Sequence, residues 1–413
     1  MRYFVILICI LSGPVPGSRA ADWVCWRGPD GLGVSAEKNL PVQWSKEKNI
    51  AWKLEVPGRG ASSPIVVADR VYLTTQTPDT ALHVLAIDRE RGELLWDREI
   101  GRGKLHANGL HNMATPTPVS DGERVWALFG TGDVACLDRA GKVLWQRNLV
   151  KEYGEYKTNH GYGTSPMLLD GRLFIACMHQ GPSYLLALDA QTGKNLWKKE
   201  RSLEPKDEAQ DSYSSPLFLR ADGRAQVVLA GAESVNAYDP AVGEQLWICG
   251  GLKVPHPYGR TISGPTAGDG VVVAIASGFQ NRGFAVGLKA GGSGQSRLWT
   301  CNKFSPDCPT PVAYQGNLFF IRDDGMASCL DLKTGEPHWQ ERLFSANVKV
   351  SPVAGDGKIY FVSGQGNCAV VKAVARFEVL ATNELNEATL CTPAISHGRL
   401  FVRTERQLYC VTN

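Results

Sequence analysis

The chain has 413 residues, 43% hydrophobic and 21% charged, with 44 basic against 41 acidic side chains. A net charge of +3 leaves no polyanion-binding footprint, so nucleic acid is not an expected partner. The 44 glycines and the lack of long helical periodicity exclude a helical bundle and fit a turn-dense β protein.

Residues 1–20 open on Met1-Arg2, run apolar from Tyr3 to Leu11 and end on Ser18-Arg19-Ala20. That is the pattern of a secretory leader cleaved after Ala20, and its apolar run is too short to span a bilayer. Cys9 sits inside the run behind Ile8, not after it behind a small residue, so lipidation is not expected. No later stretch is long and apolar enough to cross a membrane, which predicts an exported protein of the periplasm or extracellular space. Removing Arg2 and Arg19 with the leader lowers the net charge to +1. Residues 21–49 form a lead-in expected to pack on the domain that follows.

That domain, residues 50–413, is a repeat. Ile50-Ala51-Trp52-Lys53-Leu54 reads as a strand with no repeat before it. Eight segments then pair a small residue with proline: Ser63-Pro64, Thr117-Pro118, Ser165-Pro166, Ser215-Pro216, Gly264-Pro265, Thr310-Pro311, Ser351-Pro352 and Thr392-Pro393. Each runs into β-rich sequence, and the spacing of 41 to 54 residues marks a closed all-β array. A second signature, Asp-x-x-x-Gly-x-x-x-Trp, recurs at Asp88 to Trp96, Asp189 to Trp197, Asp239 to Trp247 and Asp331 to Trp339, with a shorter copy from Asp138 to Trp145. Its aspartate can bond turn amides, its glycine can take positive φ, and its tryptophan packs the returning strand. Lys289 and Lys372 replace the aspartate in two copies. The last repeat lacks a Trp strand, and residues 50–56 supply one. The expected fold is an eight-bladed β-propeller of four-stranded antiparallel blades, closed by pairing of N- and C-terminal strands, and a monomer is expected.

Two residues before the aspartate position the blades carry Ala86, Cys136, Ala187, Ala237, Gly287, Cys329, Val370 and Cys410. The slot is small, so its cysteines act as small apolar residues. Cys301 and Cys308 are the one local pair, and a bridge between them stays open at this point.

The Asp-x-x-Thr-Gly-x-x-x-Trp form of 189–197 and 331–339 resembles the pyrroloquinoline-quinone-like repeat of quinoprotein alcohol dehydrogenases and of the outer-membrane assembly protein BamB. The lead-in from Trp23 through Arg27, Gly28 and Pro29 to Gly31, followed by Leu40-Pro41-Val42-Gln43-Trp44, is similar to that of exported bacterial proteins built on this repeat. The resemblance implies either a scaffold or a dehydrogenase that uses pyrroloquinoline quinone and calcium. A dehydrogenase of this family is expected to carry two adjacent cysteines and long insertions for calcium ligands. The chain has no Cys-Cys pair, near-minimal blades and no Cys-x-x-Cys-His haem site. The leading expectation is therefore a non-catalytic exported propeller that binds a protein or cell-envelope component, with no cofactor, no metal and no catalytic residue. A quinone-dependent oxidoreductase and a small-ligand or glycan binder are the alternatives.

In such propellers the segments before the small-Pro pairs lie at one mouth of the central channel. They carry Arg59, His106, His111, Asn112, His160, Tyr162, Tyr213, Tyr258, Arg260 and Lys349, with Asp211, Asp307 and Glu387 beside them. Aromatic, basic and amide groups on a concave rim suit a polar ligand or partner.

Overall fold

A computed structural model describes residues 22–104, 111–201, 203, 205, 207–277, 283–291, 297–303, 305–345 and 347–413. The expected leader, residues 1–20, and His106 lie outside the described residues. Eight sheets form a β-propeller of four antiparallel strands each, in chain order from one edge to the other in every blade but the one that closes the ring. The sheet of the seventh blade gains a fifth, parallel strand, where Val34 and Ser35 of the lead-in lie beside Ala354 and Gly355. Among the described residues helix is confined to Leu149–Tyr153 and a single 3-10 turn, Asp207–Gln210. No described helix is long and apolar enough to cross a membrane.

The ring closes on a composite blade. Ile50–Glu55 pairs antiparallel with Gln407–Val411, Trp52 opposite Cys410, and the sheet continues inward to Ala394–Ser396. Pairing hides two strand edges that would otherwise be exposed templates for aggregation.

The register explains the small slot. Ala86 faces Trp96, Cys136 faces Trp145, Ala187 faces Trp197, Ala237 faces Trp247, Gly287 faces Trp299 and Cys329 faces Trp339. The indole needs the space that a larger side chain would fill: a Cβ on Gly287 would come within 2.2 Å of the Trp299 ring. Where Val370 takes the slot, Ala381 replaces the tryptophan opposite.

The same tryptophans join neighbouring blades. The Nε1–H of Trp52 donates to Arg89 O at 2.8 Å, that of Trp96 to Arg139 O at 2.8 Å and that of Trp145 to Ala190 O at 3.0 Å. Trp299 and Trp339 bond Leu332 and Val374 in the same way. The rings of Trp52, Trp96, Trp145, Trp197 and Trp299 lie on the hairpin glycine of the next blade, whereas Trp339 packs on Phe377. Gly193 has φ +69°, and a Cβ on it would meet the Trp145 ring at 2.7 Å, so conformation and close approach both require glycine there. The aspartates bond the turn amides, as Asp189 Oδ1 does with Thr192 N at 2.8 Å. Trp247, whose following hairpin carries Lys289 in the aspartate position, bonds Gln226 Oε1 instead at 2.9 Å. All ten cysteines among the described residues are free thiols, so the bridge left open between Cys301 and Cys308 is not formed.

Candidate functional site: a blind cup on the propeller axis

The small-Pro pairs start the innermost strands, and their side chains tie the blades around the axis. Ser63 N donates to Thr117 Oγ1 at 2.9 Å, Thr117 N to Ser165 Oγ at 3.0 Å and Ser165 N to Ser215 Oγ at 3.0 Å. Gly264 N donates to Thr310 Oγ1 at 2.8 Å, Thr310 N to Ser351 Oγ at 2.9 Å and Thr392 N to Ser63 Oγ at 3.0 Å. Gly264 has no hydroxyl to offer Ser215, and among the described residues no such bond joins Ser351 to Thr392, so six of the eight neighbour pairs are linked. Proline after each hydroxyl fixes φ where the strand turns upward.

The lead-in closes one end of the channel. It bonds Val66 through Trp23 and Ser120 through Val24 O, then crosses the axis to blades 6 and 7. There the fully buried Arg27 donates to Thr310 O at 2.6 Å and Pro311 O at 2.5 Å, and Gly33 O accepts from Ala354 N at 2.7 Å. Burial alone lowers the Arg27 pKa to about 9, and carbonyl oxygens supply its partners. Gly33 makes room for it, since a Cβ there would lie 2.7 Å from Nη2. Trp26, carried on this strap, lines the channel and would sit 3.5 Å from a Cβ on Gly264.

What remains is a cup of about 250 Å³, open at the opposite mouth. Six consecutive blades each send side chains to it: His111, His160, Tyr213, Arg260, Asp307 with Cys308, and Lys349. Blades 8 and 1 contribute Leu390 and Ala61, so the polar arc has an apolar gap. Arg260 Nη1 pairs with Glu208 Oε2 at 2.8 Å and its Nη2 lies 4.0 Å from Asp307 Oδ2. Lys349 Nζ pairs with Asp323 Oδ1 at 2.5 Å and lies 3.4 Å from Cys308 Sγ. Burial works against the charge on Lys349, yet Cys308 and Asp323 hold its pKa above the ordinary lysine value. Burial and the neighbouring Asp323 raise the pKa of Asp307, and the same causes raise the Cys308 thiol.

The rim candidates divide. His111, His160, Tyr213, Arg260 and Lys349 come together at the cup, with His160 and Tyr213 in ring contact at 6.0 Å. Tyr162 is a core residue, its hydroxyl donating to Ala176 O at 2.7 Å and its ring stacked on Tyr156 at 4.5 Å. Arg59 turns outward to Glu405 at 3.1 Å. Asn112 caps its own turn and bonds Arg59 O at 2.9 Å, while Tyr258 is exposed beside His256. Asp211 is buried under Asn159 and Tyr213, and Glu387 holds Arg406 N and the Tyr409 hydroxyl. Sequence reading did not assign Trp26, Asp323, Glu208 or the hydroxyl girdle to the site. The shared Ser/Thr identity of seven of the eight pre-proline positions was the available signal for the girdle.

A family model described as outer membrane protein assembly factor BamB matches residues 30–202, 130–296, 289–377 and 308–413. The chain belongs to that family. Among curated relatives of this BamB-family chain, 1-butanol dehydrogenase (quinone) of Thauera butanivorans is 26% identical over 41% of this chain and 29% of its own length. Outer membrane protein assembly factor BamB of Yersinia pestis is 25% identical over 44% of this chain and 47% of its own. The chain thus matches less than half the length of either relative. The solved BamB from Moraxella catarrhalis shares the fold, with a TM-score of 0.65 and 14% identity over 88% of this chain and 97% of that one.

Because quinone enzymes are among the relatives, the cup can be tested for a calcium-supported quinone. Calcium takes about six to eight oxygen ligands. Here Asp323 and Glu208 already hold the Lys349 and Arg260 cations. Asp307 and Asp323 converge with the Cys308 thiol, their ligand atoms within 4.8 Å of one another, and sulfur is a soft ligand that calcium disfavours. The residues present do not fit a calcium–quinone pair.

Proposed function

We propose that this chain is a non-catalytic binding propeller of the cell envelope or extracellular space, engaging a protein or envelope component at the mouth of the cup. The observation that carries the reading is the blind cup itself, with polar side chains from six consecutive blades around one opening. A closed floor and a rim of histidine, tyrosine, arginine and lysine make a recognition surface, and Tyr and Arg are favoured interface anchors. At the cup Asp323 and Glu208 are paired with cations and the Asp307–Asp323 cluster includes a soft thiol, which favours binding over calcium-supported oxidation. The leader expected at residues 1–20 supports an exported address.

The test is affinity capture from an envelope extract with wild type and a Tyr213→Ala, Arg260→Ala double variant. The variant should keep the wild-type circular dichroism spectrum and lose the captured component. Dye-linked alcohol oxidation on adding pyrroloquinoline quinone and calcium would overturn the non-catalytic reading. Undiminished capture by the folded variant would move the site off the cup.

A further inference from the structure

The girdle hydroxyls do more than join blades. Ser63, Thr117, Ser165, Ser215, Thr310 and Ser351 each accept a neighbour's amide, all are more than nine-tenths buried, and all line the cup. A hydroxyl that accepts still carries a proton to donate. Among the described residues none of these six donates a hydrogen bond to a protein acceptor. Accepting an amide proton also polarises the O–H and strengthens it as a donor. The constriction is therefore a circle of buried donors around one axis, and what satisfies it is a group made of acceptors. A carboxylate is acceptor-only, with about four lone-pair directions.

The mouth sets the charge. Arg260 and Lys349 bring two cations, and Glu208 and Asp323 bring two paired carboxylates. Asp307 Oδ2 lies 4.0 Å from Arg260 Nη2, so Glu208 and Asp307 share that guanidinium. With two cations against three carboxylates the mouth opposes a doubly charged anion most, and the donors that hold a single charge are the girdle hydroxyls. Ala61, Ile262 and Leu390 add an apolar collar to the lining, along which carbon can lie but where a second charge would enter at a cost. The volume, about 250 Å³, is enough for a chain end but not for a folded element. With Trp26 across the bottom, nothing threads through.

We infer that the cup binds a monocarboxylate carried at the end of a short apolar chain, its oxygens among the girdle hydroxyls and its carbon along Ile262 and Leu390. The inference rests on the binding reading above and gives that site its ligand chemistry. The carboxylate belongs either to the C-terminus of a polypeptide or to a free short-chain acid.

Titration calorimetry with the full chain decides it, using N-acetyl-Ala-Ala as free acid, the same dipeptide as C-terminal amide, butyrate and inorganic phosphate. The free acid should bind at least about tenfold more tightly than the amide, the size of one charge-assisted hydrogen bond. Leu390→Glu, which places a carboxylate in the collar without touching the girdle, should abolish acid binding while the thermal midpoint stays near wild type. Ser351→Ala should weaken it at least about fivefold. Butyrate equal to the dipeptide assigns a free acid as source, and weaker butyrate assigns a polypeptide end. Equal affinity for acid and amide, phosphate binding in preference to both acids, or no heat from either acid at about 10 mM overturns the inference. Envelope capture that still depends on Arg260 in that event would leave the binding reading standing and remove only the carboxylate.

Discussion

Trp52 and Cys410 sit directly opposite each other in antiparallel register, a residue from before the first blade against one from the end of the last. The Trp52 ring continues past its own sheet to bond Arg89 O and cover Gly92, so one side chain seals both the composite blade and its junction with blade 1. Trp52→Ala should cost about 3–5 kcal/mol, read as a lowered urea midpoint. Deleting residues 21–56 should go further, exposing the Gln407–Val411 edge and yielding a protein that aggregates on size-exclusion chromatography. An unchanged thermal midpoint in either variant would contradict this closure.

The slot under each indole predicts an asymmetry between substitutions of similar polarity. Ala187→Leu forces a larger side chain beneath Trp197 and should destabilise by about 1–3 kcal/mol. Ala187→Cys should be almost silent in the same denaturation experiment, because Cys136, Cys329 and Cys410 already occupy that position beneath tryptophans.

The break in the girdle at Gly264 can be repaired. Gly264 has room for a side chain, its nearest neighbours to an added Cβ being Thr310 Oγ1 at 3.4 Å and Trp26 at 3.5 Å. Gly264→Ser should offer Ser215 N–H the acceptor its counterparts have, raising stability by about 0.5–1.5 kcal/mol. Thr310→Val, which takes the acceptor from Gly264 N–H, should lower stability by about 1–3 kcal/mol. If both variants melt with wild type, the hydroxyls do not hold the blades together.

His179 makes stability depend on acid. Its Nδ1 accepts from Gly181 N at 2.8 Å and Lys157 N at 3.3 Å, which requires the neutral ring. Burial, then the Lys157 charge, lower its pKa from 6.5 to about 4. The unfolded chain therefore takes up a proton that the folded one excludes. Stability from this group is complete above pH 6.5 and is lost as pH falls toward 4, by about 3 kcal/mol at most. The difference between wild type and His179→Gln in chemical denaturation should shrink across that window. A difference independent of pH would show that the imidazole is not the group responsible.

The fold was legible because its determinants recur. Every blade needs a tight inner start and an indole seated on a small residue, so Ser165-Pro166 and Asp189 to Trp197 return with the blade period. The site was legible only by position. Rim side chains are set by individual loop backbones: His160 reaches the cup, whereas Tyr162, two residues on, turns into the core to bond Ala176 O. Arg59 and Arg260 occupy equivalent segments, yet the first pairs outward with Glu405 and the second lines the mouth. Trp26 escaped because the strap belongs to no repeat, and Asp323 because its role arises from Lys349 in the next blade.

The strap also acts as a test of completion. Its residues bond Val66 and Ser120 on one side of the axis and Thr310, Pro311 and Ala354 on the other. These anchors face one another only when the intervening blades are in place. An arc of the first three or four blades could form sheets, but the Arg27 guanidinium would lack the Thr310 and Pro311 carbonyls and stay in water. The floor of the cup thus appears at one moment in assembly, when the circle is whole, and an unfinished propeller has no receptor to offer.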